Sequence, residues 1–218
     1  MHRPFLFLAL GTAGAMLPVA IRTPDADRYC YVQSDDLSYI QNSAYDGRFT
    51  FFRVRFEPSV GGRGFGRRGV DRKWDHDTPR AEQHLMKILE EITTLRPRME
   101  CGAIYAFGDP ESFKYPIGYV SEPGFWTMDQ QELKGVRDYV AKGGFLIFDD
   151  FFGNAWYNFE ERWREAFPDL QLVPLDLSNP IFDSFYHIES LEMFYTGQGG
   201  FRGARAEWFG AYENNDPT

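Results

Sequence analysis

Blocks of apolar residues recur along the chain, and their spacing switches between strand and helix periods. The first block, Phe49-Thr50-Phe51-Phe52-Arg53-Val54-Arg55-Phe56, is dense in aromatic and β-branched residues and predicts a strand that Pro58 ends. Ala81, Leu85, Ile88, Ile92 and Leu95 then repeat at helical spacing, with Thr78 placed as N-cap, Pro79 at the first helical position and Pro97 closing the segment. A second strand is expected over Ala103–Phe107, and a short third over Ile117–Val120 that Glu122-Pro123-Gly124 halts. Thr127 and Gln130 have capping-box spacing for a helix striped by Leu133, Val136 and Val140, which Gly143 is placed to end. Gly144–Phe148 is a continuous apolar run, the pattern of a parallel strand buried on both faces in the middle of a sheet. Phe159, Trp163, Ala166 and Phe167 mark a shorter helix stopped by Pro168. Leu172-Val173 and Ile181-Phe182 give fainter strand signals, and Glu207–Tyr212 reads as a strand entering a turn.

Strand and helix blocks in alternation predict an α/β fold: three layers, a flavodoxin-like, mostly parallel sheet with helices on both faces. Ahead of it, residues 1–20 have the layout of a secretory signal peptide: a basic start at Met1-His2-Arg3, an apolar run from Phe5 and small residues at Ala13-Gly14-Ala15. That run is shorter than the roughly 20 residues needed to cross a bilayer, so no membrane span is expected in the mature chain. Residues 21–47 form a polar, turn-rich lead-in, and residues 48–218 are expected to be a single domain. The turn-forming Asn214-Asn215-Asp216-Pro217 at the end suggests that this domain is truncated. Export would place the protein in the periplasm or outside the cell.

Composition narrows the classes of function. The chain has 218 residues, 32 acidic against 23 basic, and a formal net charge of −9. That balance argues against nucleic acid, or an anionic membrane surface, as a partner. A hydrophobic fraction of 43% excludes a disordered chain. Two cysteines, Cys30 and Cys101, make neither a disulfide framework nor a four-thiolate zinc site. Nothing in the sequence sets their separation, so unpaired, partly buried thiols are the expectation; a bridge closing so long a loop would stabilise by about 4 kcal/mol.

In open α/β sheets, ligands collect beyond the carboxyl ends of the strands. Two polar segments are expected there. One is Asp149-Asp150-Phe151-Phe152-Gly153-Asn154, after the apolar strand. The other is a Gly/Arg-rich loop, Gly61 to Lys73, with Trp74-Asp75-His76-Asp77 leading into the first helix. Arg53, Asp77, Asp149, Asp150, Phe151 and Asn154 are therefore the candidate ligand-binding residues. Arg63, Arg67, Arg68 and Trp74 are the candidate anion-binding set. Paired carboxylates suit metal binding or acid/base work, whereas successive strand residues point to opposite faces and need not share a pocket.

No complete catalytic set emerges. A nucleophile elbow needs Ser or Cys between glycines, which is absent, and Gly61 to Gly69 lacks the Gly-Lys-Ser/Thr ending of a phosphate loop. A haloacid-dehalogenase-type phosphotransferase needs a second Asp where Phe151 stands. His76, His84 and His187 lack the paired spacing of a metalloprotease, so neither a metal nor a cofactor is expected.

Several motifs together resemble the bacterial domain-of-unknown-function family 4159. They are Tyr45-Asp46-Gly47-Arg48-Phe49-Thr50-Phe51, Arg53-Val54-Arg55, Trp74, Asp77-x-Pro79-Arg80-Ala81, Phe113-x-Tyr115-Pro116 and Tyr119-x-x-Glu122-Pro123-Gly124. Gly143-Gly144-Phe145-Leu146-x-x-Asp149-Asp150-Phe151, Phe167-Pro168 and Asn179-Pro180-Ile181-Phe182 extend the likeness, which covers Tyr45 to Tyr212. The resemblance implies a class I glutamine amidotransferase-like fold and an exported bacterial setting. The amidotransferase nucleophile would fall near Asp149 to Phe151, where no cysteine stands. It also implies that His76 replaces a small polar residue of relatives, so no site is built on it.

Two functions fit these observations. One is a non-catalytic module that binds a small polar ligand, a glycan or a protein partner. The other is a carboxylate- or metal-dependent hydrolase using Asp149 or Asp150, assisted by Asp77 or Arg53.

Overall fold

The computed structural model describes residues 42, 44–59, 65–66, 69–184, 186–191 and 207–213. Its centre is a sheet of four parallel strands: β1 (Phe52–Val54), β4 (Ala103–Tyr105), β5 (Ile117–Ser121) and β6 (Phe145–Asp149), in the spatial order β4-β1-β5-β6. Counting only these strands, the order is second, first, third, fourth, that of a flavodoxin-like sheet whose switch point lies between β1 and β5. The expected α/β architecture is therefore present.

Alternation along the strands sorts side chains into two layers. Phe52, Val54, Val120 and Phe148 face α2 (Gln130–Ala141) and α3 (Ala155–Ala166). Ring contacts fill this side: Phe52 with Tyr139 at 6.1 Å, and Phe148 with Phe159 at 5.1 Å and Trp163 at 6.0 Å. Arg53 points the other way, into α1 (Arg80–Ile92). Beyond α3, β7 (Leu170–Pro174) pairs antiparallel with β8 (Phe209–Glu213). The Phe209 ring packs tilted against Trp156 of α3, with centroids 4.6 Å apart. In the Gly/Arg-rich loop, β2 (Phe65–Gly66) and β3 (Gly69–Val70) form a short antiparallel ladder.

Five expectations are corrected. The strand β6 is a margin strand: among the described residues it pairs only with β5, and Phe145 and Ile147 are 55% and 38% exposed. Its continuous apolar run reflects one face against α2 and α3 and one face open, a distinction that hydrophobicity alone does not carry. The first helix begins at Arg80 with Pro79 as its cap residue, and the Thr78 hydroxyl donates instead to Glu82. The capping box of α2 is formed by Asp129 and Glu132, two residues past the expected register, because the Thr127 hydroxyl is taken by the Glu57 carbonyl. Ile181-Phe182 lies in a 3₁₀ turn (Pro180–Asp183), where the Asn179 side chain accepts from the Ile181 N–H. Finally, Cys101 is disulfide-bonded rather than a free thiol. The chain's other cysteine, Cys30, lies outside the described residues.

The C-terminus of α2 follows its expected chemistry. Gly143 has φ +88°, and the Gly143 and Gly144 N–H groups return to the carbonyls of Val140 and Tyr139, a Schellman motif.

Candidate functional site

The site is assembled at the carboxyl edge of the sheet, from the loop leading into α1 and the turns that follow β5 and β6. Its foundation is Arg53, which is fully buried. Its Nε donates to Glu82 of α1 at 2.6 Å, and one terminal nitrogen donates to the carbonyls of Trp74 and His76 at 2.9 and 3.1 Å. The guanidinium lies 5.7 Å from the Phe51 ring and 5.1 Å from the Tyr119 ring. A buried cation held this way tolerates desolvation through its carboxylate and the two ring faces, and it pins the 74–76 backbone above the sheet.

Four non-glycine residues around this point have left-handed backbones: Lys73 (φ 61°), Asp77 (φ 59°), Glu122 (φ 45°) and Asp150 (φ 63°). Aspartate visits this region with modest strain, whereas Lys73 and Glu122 need their surroundings to hold them there. Those surroundings are ionic. The Lys73 ammonium lies 2.8 Å from Asp71 and 3.4 Å from Glu122, over the Phe125 ring at 4.6 Å. His76 bridges the same two acids, with Nε2 2.8 Å from Asp71 and Nδ1 against Glu122. The Glu122 contact, with help from Asp71, raises the His76 pKa from 6.5 to about 9 against the opposing effect of burial, so the imidazolium persists at neutral pH.

Above this network lies an open cleft of about 500 Å³ lined by His76, Asp77, Thr78, Pro79, Arg80 and Asp150. Asp150 stands on its rim, exposed to solvent. Desolvation by the surrounding protein, then the neighbouring Glu122, Asp149 and Asp77 carboxylates, holds its pKa above the ordinary carboxylate range. Asp149 turns back to the sheet, where one oxygen accepts from the Tyr119 hydroxyl at 3.1 Å and the other from the Asp150 N–H at 2.8 Å. Burial and that carboxylate push the Tyr119 hydroxyl well above the usual phenol range, keeping it a donor. Asp149, Tyr119 and Arg53 thus form a continuous brace beneath the cleft.

The structure brings Asp77 and Asp150 to one cavity; Arg53 and Asp149 do not line it, Arg53 being buried behind the 74–76 backbone and Asp149 held by the Tyr119 hydroxyl and the Asp150 N–H. Phe151 belongs elsewhere: it stacks on Trp156 with an interplanar angle of 4° and meets Phe159 at 4.9 Å, locking the start of α3. Asn154 is exposed at the helix start, makes no side-chain cap and does not line the cleft. Trp74 is a core residue at 2% exposure that contributes its carbonyl. Arg63, Arg67 and Arg68 lie outside the described residues. Among the described residues, no group of three or more His, Cys, Asp and Glu side chains is placed to hold a metal ion.

Sequence reasoning missed His76, Glu122, Lys73, Thr78 and Arg80. A signal for Glu122 was available in Tyr119-x-x-Glu122-Pro123-Gly124, because a charged residue between a strand end and Pro-Gly sits at the ligand edge of the sheet. His76 was set aside, and it is the cation that joins the loop before α1 to the turn after β5.

Fold and site together define a flavodoxin-like α/β domain with a carboxylate-rimmed cleft at its topological switch point, built on a buried arginine and a strained ionic turn. The chain belongs to the family described as Domain of unknown function (DUF4159), whose model matches residues 60–218. No curated protein matches it.

Proposed function

We propose that this protein is an exported, non-catalytic binding domain with the shape of a class I amidotransferase, holding a small polar ligand in the cleft between Asp150 and the start of α1. The observation that carries this reading is Asp150 itself. It occupies a left-handed position at the turn from β6 into α3, facing Asp77, His76 and Arg80 across one cavity. A sharp strand-to-helix turn of this kind is where elbow enzymes hold a nucleophilic Ser or Cys. An aspartate there supplies acceptors and no thiol, which favours binding over acyl transfer.

The rim offers carboxylate acceptors at Asp77 and Asp150, a hydroxyl at Thr78, and cationic donors at His76 and Arg80. That mixture suits a ligand rich in hydroxyl groups or carrying both an ammonium and a carboxylate, such as a short glycan or an amino acid. A disulfide at Cys101 supports passage through an oxidising compartment.

A second reading, a carboxylate-dependent hydrolase, is favoured by the raised Asp150 pKa, a property of general acids. Both readings are tested on the mature chain. Oligosaccharides and amino acids are screened by thermal shift against wild type, Asp77→Asn and Asp150→Asn. A ligand that raises Tm by several degrees in wild type alone supports the binding domain, and equal shifts in all three proteins remove the cleft from the account. Calorimetric titration with magnesium, manganese, calcium and zinc addresses the hydrolase. Heat that disappears in Asp150→Asn favours it, and the absence of heat eliminates its metal-dependent form.

A further inference from the structure

The sheet face that carries Arg53 is covered unevenly. Over β1, α1 packs against it through Glu82, which holds the Arg53 guanidinium. At β6 the same face is open. Strand alternation puts Phe145, Ile147 and Asp149 on one side of β6. The parallel register sets Ile147 beside Tyr119, whose hydroxyl donates to Asp149 and whose ring meets the Arg53 guanidinium, so this is the α1 side of the sheet. Phe145 and Ile147 are both exposed there. At about 3.3 Å per residue, they lie roughly 13 and 7 Å from Asp149 along the strand. An apolar track therefore runs up to the carboxyl edge, where Asp150 rims the cleft.

The cleft at the head of this track has acidic charge to spare. Lys73 and His76 face Asp71 and Glu122, Arg72 faces Asp75, and Arg53 faces Glu82, so each of these cations is matched by a carboxylate. Among the described residues, the Asp77 and Asp150 side chains have no ion-pair or hydrogen-bond partner. Arg80 is the remaining cation of the lining. Two carboxylates against one guanidinium, with Asp149 adjoining, leave the rim acidic. The upward pull that Glu122, Asp149 and Asp77 exert on the Asp150 pKa has the same sign.

We infer, building on the binding-domain reading of this cleft, that its ligand is an amphiphilic cation: a primary ammonium set between Asp77 and Asp150, with a hydrocarbon chain laid along Ile147 and Phe145. An ammonium brings the charge that the unpaired acids lack, and its three N–H donors suit two carboxylates. A wholly polar ligand would leave the track in water, whereas each methylene laid on it leaves water together with the side chain beneath. A carboxylate-headed chain is repelled by the same rim.

Calorimetric titration of the full mature chain at pH 7 with ethylammonium, octylammonium and octanoate separates head from tail. Octylammonium, kept below its micelle concentration, is expected to bind at least about tenfold more tightly than ethylammonium, and octanoate to give no heat. Phe145→Thr/Ile147→Thr, which keeps strand-forming residues at two exposed positions, should erase that preference without weakening ethylammonium. Should the double variant unfold, Phe145→Thr alone provides the comparison. Ile181→Ser, at an exposed apolar position away from β6, should retain the preference. Asp150→Asn should lose both amines. Equal affinity for the two amines, octanoate binding as well as octylammonium, or a preference that survives the β6 substitutions overturns the inference. If ethylammonium and octylammonium bind equally and Asp150→Asn abolishes both, the cleft stands as a polar site without the track. If the amines, the oligosaccharides and the amino acids all fail to bind, the binding-domain reading falls as well.

Discussion

Asp150 is held where its charge is unwelcome. Its backbone is left-handed, and desolvation together with Glu122, Asp149 and Asp77 disfavours its ionised form. Asparagine tolerates the same backbone and carries no charge. Asp150→Asn is therefore expected to stabilise the fold by a few tenths of a kcal/mol at pH 7, a small figure because the group opens to solvent, while abolishing ligand binding. Chemical denaturation beside the ligand screen measures both, and a variant that is less stable or still binds refutes this account of the cleft. His76 gives the pH dependence. Its pKa is raised from 6.5 to about 9, so the ionic turn contributes fully below about pH 6.5 and is lost as pH rises through about 9. With the side chain 36% exposed, the loss should be about 1 kcal/mol after solvent screening. Thermal denaturation between pH 6.5 and 9.5 should show wild type declining and His76→Gln flat over that window. The acids of this site were visible in the sequence because they follow an apolar run at a strand's carboxyl end. His76 was not, since its partners Asp71 and Glu122 approach it from segments that only the fold brings together.

At the scale of elements, local chemistry was legible and layer position was not. Gly143 was recognisable as a helix end because an apolar stripe stops before it and only glycine adopts φ +88° without strain. The margin position of β6 was hidden, because an apolar run does not report how many helices cover it. The interior of α2 shows the same limit. Gly135 looks like an ordinary weak point in a helix, yet a Cβ there would meet the Phe107 carbonyl oxygen at 1.9 Å. The helix depends on that absent side chain to reach the turn after β4. Gly135→Ala, which raises helix propensity, should nevertheless destabilise by about 2 kcal/mol or more through overpacking. Urea unfolding checks the sign, and a gain in stability would show that the helix can move away without loss.

For the molecule as a whole, the disulfide at Cys101 ties the domain beyond what its core supplies. Closure to Cys30 would restrict the unfolded chain by about 4 kcal/mol in the chain-entropy model. Reduction should accordingly lower the urea midpoint markedly at constant protein concentration. An unchanged midpoint would mean that the bond acts locally. By itself, the sequence determined the alternation of strands and helices, the α/β class, the helix ends set by glycine and proline, and the pair of acids at the end of β6, because periodicity, capping and strand-end chemistry are properties of neighbours along the chain. Tertiary structure decided the strand order β4-β1-β5-β6, the open side of β6, the burial of Arg53 against Phe51 and Tyr119, and the joining of His76 to Asp71 and Glu122. These depend on which distant segments share the carboxyl edge of one sheet, and long-range pairing is set by the competition among all possible partners rather than by any residue's own preference.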